Sequence, residues 1–397
     1  MSVVGIDLEQ FIRDPWATGI QRVMQQLARN WPDEVGAEFV LPNDDGTFTL
    51  LDRQQATDLL TLPFVEHGAR AGTTEPGFDA NHHLRTQVNQ AVLGYRDDRA
   101  VPKVRLGELI SIYDAWLLPE VSYLPAVLER LDLFGRCMPV AMIGYDALPM
   151  TDPANYRFRP GTSSQVSGYF RRLATVDAVV CISGYARDAI LDRLRRDRSL
   201  RTTVAHPGGD HIPVRESAPS IGRPTFLRVG TMEARKRPAE ILRGFLEAVH
   251  GGLDAELVFI GNPNASSAAV NAEVAAAVDA GEPVRWIQGA SDQEVTQAVI
   301  AADAFLSIGI EGYGIPVLEA IRLGTPVVFD GIQPAAELMA GRGATRLPAH
   351  DEAHLADMFR TIGHRDAIDN LRAQCDPYAV PTWNDFAGAV AAAAVDA

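Results

Sequence analysis

Two glutamates flank a glycine-containing turn in the segment Glu311-Gly-Tyr-Gly-Ile-Pro-Val-Leu-Glu319. Glycine has no Cβ, so the backbone can turn sharply there and come close to a ligand. The first N–H groups of the helix that follows have no partners within that helix, and they favour binding of a phosphate. We expect Glu311 in the turn and Glu319 in the first helical turn, with the anion site between them. The segment therefore predicts binding of a polar, anionic ligand at several points.

Two adjacent cations, Arg235 and Lys236, form a second candidate group, because they follow a predicted strand and Gly230. Such a pair at a strand end of a chain with net charge −15 favours ligand binding over an exposed loop. Charge-assisted hydrogen bonds to phosphate oxygens are strong. They become stronger when a leaving phosphate gains negative charge.

Strands and helices alternate around both groups. Pro316 near the first helical position and Gly324 after the last predict a short helix. Such alternation implies right-handed crossovers and a parallel sheet. The predicted strands are 225–229, 256–260, 284–288, 304–308 and 326–329, and the predicted helices between them are 238–249, 265–278 and 293–302.

The first half of the chain is less regular. Thr18 is predicted to cap an amphipathic helix, and Ser183 is predicted to cap another. Residues 71–84, rich in Gly, Thr, Pro and His, are predicted to form a loop, and the pair His82-His83 has no third metal ligand at a telling distance. The other predictions are strands at 3–6, 109–113, 140–144 and 178–182, short β segments at 38–41 and 47–51, and helices at 124–134 and 169–175.

The length of 397 residues exceeds what one hydrophobic core usually serves, so we expect two domains. Pro, Gly and Ser are densest from His206 to Pro224. We therefore predict an N-terminal domain at 1–215, a C-terminal domain at 222–380 and a terminal helix at 383–397.

Composition excludes several classes of protein. The net charge of −15 and pI near 5.0 argue against nucleic acid as a partner. Cys137, Cys181 and Cys375 are widely spaced, so they predict core residues in a reducing compartment rather than disulfides or a metal site. The start of the chain lacks a basic segment followed by a long apolar one, and no apolar run reaches about 18 residues, so we expect a cytoplasmic protein. The arginines 193, 195, 196, 198 and 201 can make peripheral contact with anionic lipid, but interleaved aspartates favour a solvated helix end.

The segment from Glu311 to Glu319, continued by Glu319-Ala-x-x-x-Gly-Thr-Pro-Val-Val328, resembles the signature of retaining glycosyltransferases of family 4. Gly230-Thr-Met-Glu-Ala-Arg-Lys236 is similar to the Gly-Thr-Leu-Glu-Pro-Arg-Lys segment of that family, and Gly19-Ile-Gln-Arg22 is similar to its Gly-Ile-x-Arg segment. Tyr145-Asp146 stands where many members have His-Asp, and Thr231 stands where some have Arg.

The resemblance implies an α/β protein of the GT-B fold, with two Rossmann-like domains facing a central cleft and a terminal helix that crosses back to the first domain. It also implies an enzyme that moves a sugar from a nucleotide diphosphate sugar to an acceptor hydroxyl or amine, with retention at the anomeric carbon. We expect no metal and no other cofactor. The expected partners are the nucleotide-sugar donor and an acceptor that the sequence does not identify.

The same resemblance assigns roles to residues. Glu311, Lys236 and Arg235 are the expected catalytic residues, with Lys236 and Arg235 meeting the donor diphosphate and Glu311 meeting the donor sugar. Glu319 is expected to accept hydrogen bonds from the ribose, and the amides from Gly312 to Ile315 are expected to hold the β-phosphate. Tyr145 is expected to donate a hydrogen bond in place of the missing histidine. The full set of expected donor-binding residues is Gly19, Tyr145, Asp146, Gly230, Gly312, Tyr313, Gly314, Ile315, Pro316 and Glu319.

Two other functions stay open on the sequence. A sugar-nucleotide 2-epimerase shares the two-domain plan, but it should carry acid/base carboxylates and histidines and needs no acceptor. A non-catalytic sugar-nucleotide-binding subunit is the other alternative, and the intact glutamate pair argues against it. Incubation with donor alone, followed by a search for an epimer, a transfer product or hydrolysis, separates the three.

Overall fold

The computed structural model describes the backbone of residues 2–70, 80–153, 163–194, 200–215 and 222–397. These residues form two compact units. The first unit runs up to Thr151, continues through residues 163–207 and takes in Thr382–Ala397, and the second comprises Asp152, Pro153 and Gly208–Pro381.

Among the described residues, the first unit contains one eight-stranded sheet. Its strands are Val3–Asp7 (β1), Gly36–Pro42 (β2), Thr47–Leu51 (β3), Lys103–Arg105 (β4), Ala115–Leu118 (β5), Val140–Gly144 (β6), Ala178–Cys181 (β7) and Arg201–Val204 (β8). The spatial order is β4-β3-β2-β1-β5-β6-β7-β8. All pairs are parallel except β2–β3 and β3–β4.

Helices cover this sheet. Trp383–Val395, although last in the chain, belongs to the first unit and packs against β5, β6, β7 and the helix Gly19–Asn30. Inside the core, the ring of Trp116 lies 4.5 Å from that of Phe134 in an edge-on contact. The helices are Glu9–Arg13 (α1), Gly19–Asn30 (α2), Arg53–Arg70 (α3), Ala80–Asp97 (α4), Leu106–Ile112 (α5), Pro125–Phe134 (α6), Leu148–Thr151 (α7), Ser163–Leu173 (α8), Gly184–Leu194 (α9) and, at the end of the chain, Trp383–Val395.

The described part of the second unit contains a six-stranded parallel sheet. Its strands are Thr225–Val229 (β9), Glu256–Ile260 (β10), Val284–Ile287 (β11), Ala304–Ile310 (β12), Val327–Ile332 (β13) and Ala344–Arg346 (β14), in the order β11-β10-β9-β12-β13-β14. The helices are Pro238–His250 (α10), Ala268–Asp279 (α11), Asp292–Ala301 (α12), Ile315–Arg322 (α13), Pro334–Leu338 (α14), Glu352–Ile362 (α15) and Arg365–Arg372 (α16), with the terminal helix numbered α17. Short 3-10 turns occupy Ala234–Lys236 and Ala265–Ser267.

The strands β9 and β12 lie side by side at the centre of the second sheet. Because their carboxyl ends meet at one edge, the residues that follow each strand come together there. The core below is aromatic, with Phe226, Phe245 and Phe359 in mutual ring contact at centroid distances of 5.2 to 6.4 Å. This packing fixes the sheet that carries the candidate site.

Two predictions about elements of the first unit are wrong. Residues 109–112 belong to helix α5, because Glu108 accepts the Arg105 amide at 2.7 Å and caps that helix, and Tyr113 follows as its C-cap. The strand is Ala115–Leu118. Part of the predicted loop, from Ala80 onward, is helix α4, while residues 71–79 lie outside the described residues.

The domain boundary lies earlier than predicted, between 207 and 208 rather than after 215. The cause is close packing, since a Cβ on Gly209 would lie 2.6 Å from Cβ of Leu318. The Arg215 amide also donates to the Arg322 carbonyl at 3.0 Å.

The prediction that the three cysteines are core residues is wrong for one of them. Cys137 is exposed in the turn after α6, whereas Cys181 is buried as predicted. Arg195, Arg196 and Arg198 of the predicted basic face lie outside the described residues.

Candidate functional site

Glu311 lies between two cations at the carboxyl edge of the second sheet. The Lys236 ammonium lies 2.9 Å from Glu311 Oε1, and Nη1 of Arg235 donates to Oε2 at 3.0 Å. Arg235 also donates through Nε to Glu233 at 2.6 Å and through Nη1 to the Ile310 carbonyl. The structure thus brings together the three side chains that the sequence singles out as catalytic.

Glycines at the strand ends allow this contact. The Ala234–Lys236 turn lies directly on β12, because a Cβ on Gly309 would be 2.2 Å from the Arg235 carbonyl oxygen. Gly309 also has a φ of 103°, which disfavours any side chain. Gly331 on β13 makes an equally close approach to the Gly309 carbonyl, at 2.2 Å for its added Cβ. The cations are therefore held against the sheet edge by backbone contact.

A third cation, Arg228, lies inside the same cluster. It is only 5% exposed and stands on the central strand β9, one residue before the strand ends. A Cβ on Gly230 would lie 3.1 Å from Lys236 Nζ and 3.4 Å from Arg228 Nη1, so both cationic groups lie next to this glycine. Three cations thus face two carboxylates, those of Glu233 and Glu311.

The charge state of Glu311 follows from these neighbours. Burial alone would raise its pKa, but Lys236, Arg235 and Arg228 together outweigh burial and lower the pKa to about 2. Its side chain is 19% exposed. Glu311 is consequently a carboxylate throughout the physiological pH range, able to accept hydrogen bonds but not to donate a proton.

The turn after β12 leads into helix α13 through Gly314. Gly314 has a φ of 105° and forms the N-cap, with Ile315 and Pro316 at the first two helical positions. Gly312 has no positive φ, so only one of the two turn glycines needs the left-handed region. Tyr313 is 4% exposed, and burial raises the pKa of its phenol. Its carbonyl accepts the Ala335 amide at 2.9 Å, which anchors the turn to α14.

Glu319 does not lie in the first turn of α13, contrary to the sequence prediction. The helix begins only at Ile315, which puts Glu319 beyond the reach of the strongest dipole effect. It is oriented instead by His211, whose Nε2 lies 2.9 Å from Glu319 Oε1. His211 is there because the preceding segment packs closely on α13 through Gly209.

Three predicted residues belong to the first unit. Gly19 is exposed at the start of α2, with open space where a Cβ would point, and the adjacent Thr18 caps this helix by accepting the Gln21 amide as predicted. Tyr145 is 6% exposed and donates its hydroxyl to the Pro119 carbonyl at 2.7 Å. The Tyr145 hydroxyl was predicted to donate a hydrogen bond to a ligand, but here its proton is donated to Pro119. Asp146 accepts the Leu148 amide at 2.9 Å, as a turn-capping residue does.

The sequence did not single out two residues of the candidate site, Arg228 and His211. An arginine within an otherwise apolar strand was a signal for the first, because charged residues are rarely buried without a reason. His211 follows a Gly-Gly-Asp segment in the stretch that predicts the domain boundary. No sequence pattern pairs it with Glu319.

The chain has the GT-B fold, shared with known glycosyltransferase structures of similar length. Residues 223–365, less than half of the chain, match the family model described as Glycosyl transferases group 1. This range contains the whole Arg228–Lys236–Glu311 cluster together with Glu319.

The chain is also similar to particular proteins. It is 30% identical over 117 residues to the serotype-specific mannosyltransferase WbdA of Escherichia coli. The matched residues make up 29% of this chain and only 14% of that much longer relative. It is similar in structure to the trehalose-6-phosphate phosphatase N-terminal domain of Candida albicans, with a TM-score of 0.62 and 11% identity over 98% of this chain and 95% of that one. A second similar structure is Alr3699/HepE of Anabaena in complex with UDP and glucose, with a TM-score of 0.56 and 13% identity over 99% of this chain and 95% of that one.

The described residues contain no group of three or more His, Cys, Asp or Glu side chains arranged to hold a metal ion. None of their helices combines the length and apolar character needed to cross a bilayer.

Proposed function

We propose that this chain is a retaining glycosyltransferase that takes its sugar from a nucleotide diphosphate sugar and transfers it to an acceptor hydroxyl or amine without a metal ion. The observation that carries the proposal is the cluster of Glu311 with Lys236 and Arg235 beside the turn into α13. The match of residues 223–365 to a glycosyltransferase family model supports it. So does the shared fold with a protein that binds UDP and glucose.

In this proposal the diphosphate binds where positive charge is concentrated. Lys236 and the neighbouring guanidinium groups neutralise it, and the backbone amides from Gly312 to Ile315 hold the β-phosphate at the start of α13. Glu319 accepts hydrogen bonds from the ribose, and His211 orients that carboxylate. A carboxylate has about four acceptor positions, so it can accept from His211 and from a ligand hydroxyl together.

Glu311 acts on the sugar as an anion. Because its pKa is lowered to about 2, it accepts hydrogen bonds from sugar hydroxyls and does not serve as a general acid. A fixed negative charge beside the anomeric carbon also stabilises the positive charge that develops there. When a diphosphate binds Lys236, this ammonium balances less of the negative charge of Glu311. The positive charge that develops on the reacting sugar then balances the remainder.

The transfer step needs no protein base. The bond between the anomeric carbon and the phosphate oxygen breaks, and its electron pair stays on that oxygen. The acceptor oxygen or nitrogen bonds to the anomeric carbon from the same face. Its proton passes to the departing phosphate oxygen, which balances the step.

The first experiment identifies the donor and the stereochemistry. A thermal-shift screen of nucleotide diphosphate sugars should give a ligand that raises Tm, because ligand binding stabilises the native state. With that donor and a panel of sugar acceptors, NMR of the product should show the donor's anomeric configuration. Excess EDTA should leave the rate unchanged, and strict dependence on Mg²⁺ or Mn²⁺ would remove the metal-free part of the proposal.

The second experiment tests Glu311 directly. Glu311→Gln should lower kcat by about 10²- to 10³-fold, as loss of a preorganised electrostatic contact does elsewhere. Glu256→Gln is the matched control, because Glu256 is ion-paired to Arg285 at 2.8 Å away from the cluster. Wild-type turnover in the Glu311→Gln variant would refute the assignment, as would formation of an epimer from donor alone.

A further inference from the structure

Arg228 is a buried cation whose position the fold alone does not explain. It stands on β9, which pairs with β10 on one side and β12 on the other, and only 5% of the residue is exposed. Its Nη1 donates to the Val229 carbonyl, whereas its Nε has no hydrogen-bond partner among the described residues. Within the same part of the chain no carboxylate lies within salt-bridge distance of it. Burial lowers the pKa of this guanidinium.

A buried charge with no carboxylate in salt-bridge distance destabilises a protein, since the more distant Glu311 and Glu233 repay its desolvation only in part. Two other buried arginines among the described residues are paired. Arg372, with 8% of its side chain exposed, lies 2.9 Å from Asp303, and Arg130 is bonded to Asp7 at 2.6 Å. Arg228 departs from that pattern.

Arg235 is used differently. Its guanidinium bonds Glu233, the Ile310 carbonyl and Glu311, which ties the Ala234–Lys236 turn to the end of β12. Nε and Nη1 of Arg235 therefore have acceptors within the protein and need no ligand. A diphosphate that took Arg235 would have to break the contacts that hold Lys236 in place.

Lys236 and Arg228, in contrast, lie next to the same glycine, Gly230, where no side chain intervenes. The cluster of Arg228, Arg235 and Lys236 with Glu233 and Glu311 holds one more cation than carboxylates. An anion placed beside Gly230 would balance that charge and supply acceptors for the open Nε–H. A diphosphate has the charge and the oxygens to do both.

We propose that Arg228, together with Lys236, binds the diphosphate of the nucleotide donor, and that Arg235 is a positioning residue for Lys236. This inference rests on the proposed function. It changes which arginine meets the phosphates and predicts that Arg228 lowers the stability of the ligand-free protein while strengthening donor binding.

The test combines stability with binding in the full chain. Arg228→Met keeps the length of the side chain and removes its charge, so Tm of the ligand-free protein should rise by about 2 °C or more. The same variant should bind UDP, GDP or ADP, whichever the wild type binds most tightly, about 10- to 100-fold more weakly by calorimetry. The matching nucleoside monophosphate should lose less, and Arg228→Lys should retain part of the affinity for the diphosphate.

Two arginine variants serve as controls. Arg243→Met removes a half-exposed arginine paired with Glu273 and Glu352, so it should change neither Tm nor binding appreciably. Arg372→Met removes a buried but paired arginine, so it should lower Tm. Arg235→Met should also lower Tm, because it releases the turn.

The outcomes separate this inference from the function it rests on. A wild type that binds none of the three nucleoside diphosphates overturns both. A wild type that binds one of them, with Arg228→Met binding it equally well, overturns the inference alone. A fall in Tm for Arg228→Met with wild-type diphosphate affinity assigns Arg228 a purely structural role.

Discussion

The Arg235 carbonyl oxygen lies so close to Gly309 that a Cβ on this glycine would be 2.2 Å from it. The contact joins the turn that carries the cations to the strand that leads to Glu311. Residues distant in sequence are thereby fixed within hydrogen-bond distance. The position of the charges depends on a glycine that carries no charge itself.

Gly309→Ala should therefore be strongly destabilising. The φ of 103° and the backbone clash together should cost about 2–4 kcal/mol in the free energy of unfolding, measured by urea denaturation. Gly281→Ala is the control, because Gly281 also has positive φ, 74°, but open space beside it. That control should cost about 1 kcal/mol. Equal losses in the two variants would show that the contact with Arg235 contributes nothing.

Glu311 should make the stability depend on pH. Its pKa is lowered from 4.5 to about 2 in the folded state, so its carboxylate stabilises the native protein above pH 4.5. That contribution, at most about 3 kcal/mol, is lost as the pH falls from about 4.5 to about 2. The difference in unfolding free energy between wild type and Glu311→Gln should shrink over this window. A difference that stays constant from pH 7 to pH 3 contradicts the ion-pair account.

His211 should affect donor binding more than turnover. Loss of its bond to Glu319 removes one restraint on that carboxylate, so His211→Ala should raise the KM for the nucleotide sugar about 3- to 10-fold and leave kcat nearly unchanged. His250→Ala is the control, because His250 is paired with Glu282 on the exposed end of α10. The double variant His211→Ala/Glu319→Gln should be no worse than Glu319→Gln alone. Additive effects would mean that the two residues act separately.

Tyr145 should be structural. Tyr145→Phe leaves the buried Pro119 carbonyl without its donor, which should cost about 1–2 kcal/mol of stability. kcat/KM for the nucleotide sugar should stay at the wild-type value. Tyr378→Phe, at a side chain with 80% exposure, is the control and should change neither quantity. A selective loss of activity in Tyr145→Phe would restore Tyr145 to the site.

The sequence predicted the second unit closely because its signals are local. Apolar runs, helix caps and turn glycines are patterns among neighbouring residues. The strands Thr225–Val229 and Glu256–Ile260 have the predicted bounds for this reason. The first unit was harder, since residues 109–113 are apolar enough for a strand yet are capped as a helix by Glu108. Helix α3 shows no clear amphipathic pattern and carries Pro63 in its interior, which disfavours a helix in isolation.

The amino-acid sequence by itself determined which residues carry charge, the main strands of the second unit and where glycine permits a turn. Only the tertiary structure decided that Arg235 bonds to Glu233, Glu311 and a carbonyl, that His211 orients Glu319, and that Arg228 is buried beside Gly230. The reason is physical. A pairing between side chains 76 or 108 residues apart depends on sheet order and on backbone approach at a few glycines, and neither leaves a periodic trace along the chain.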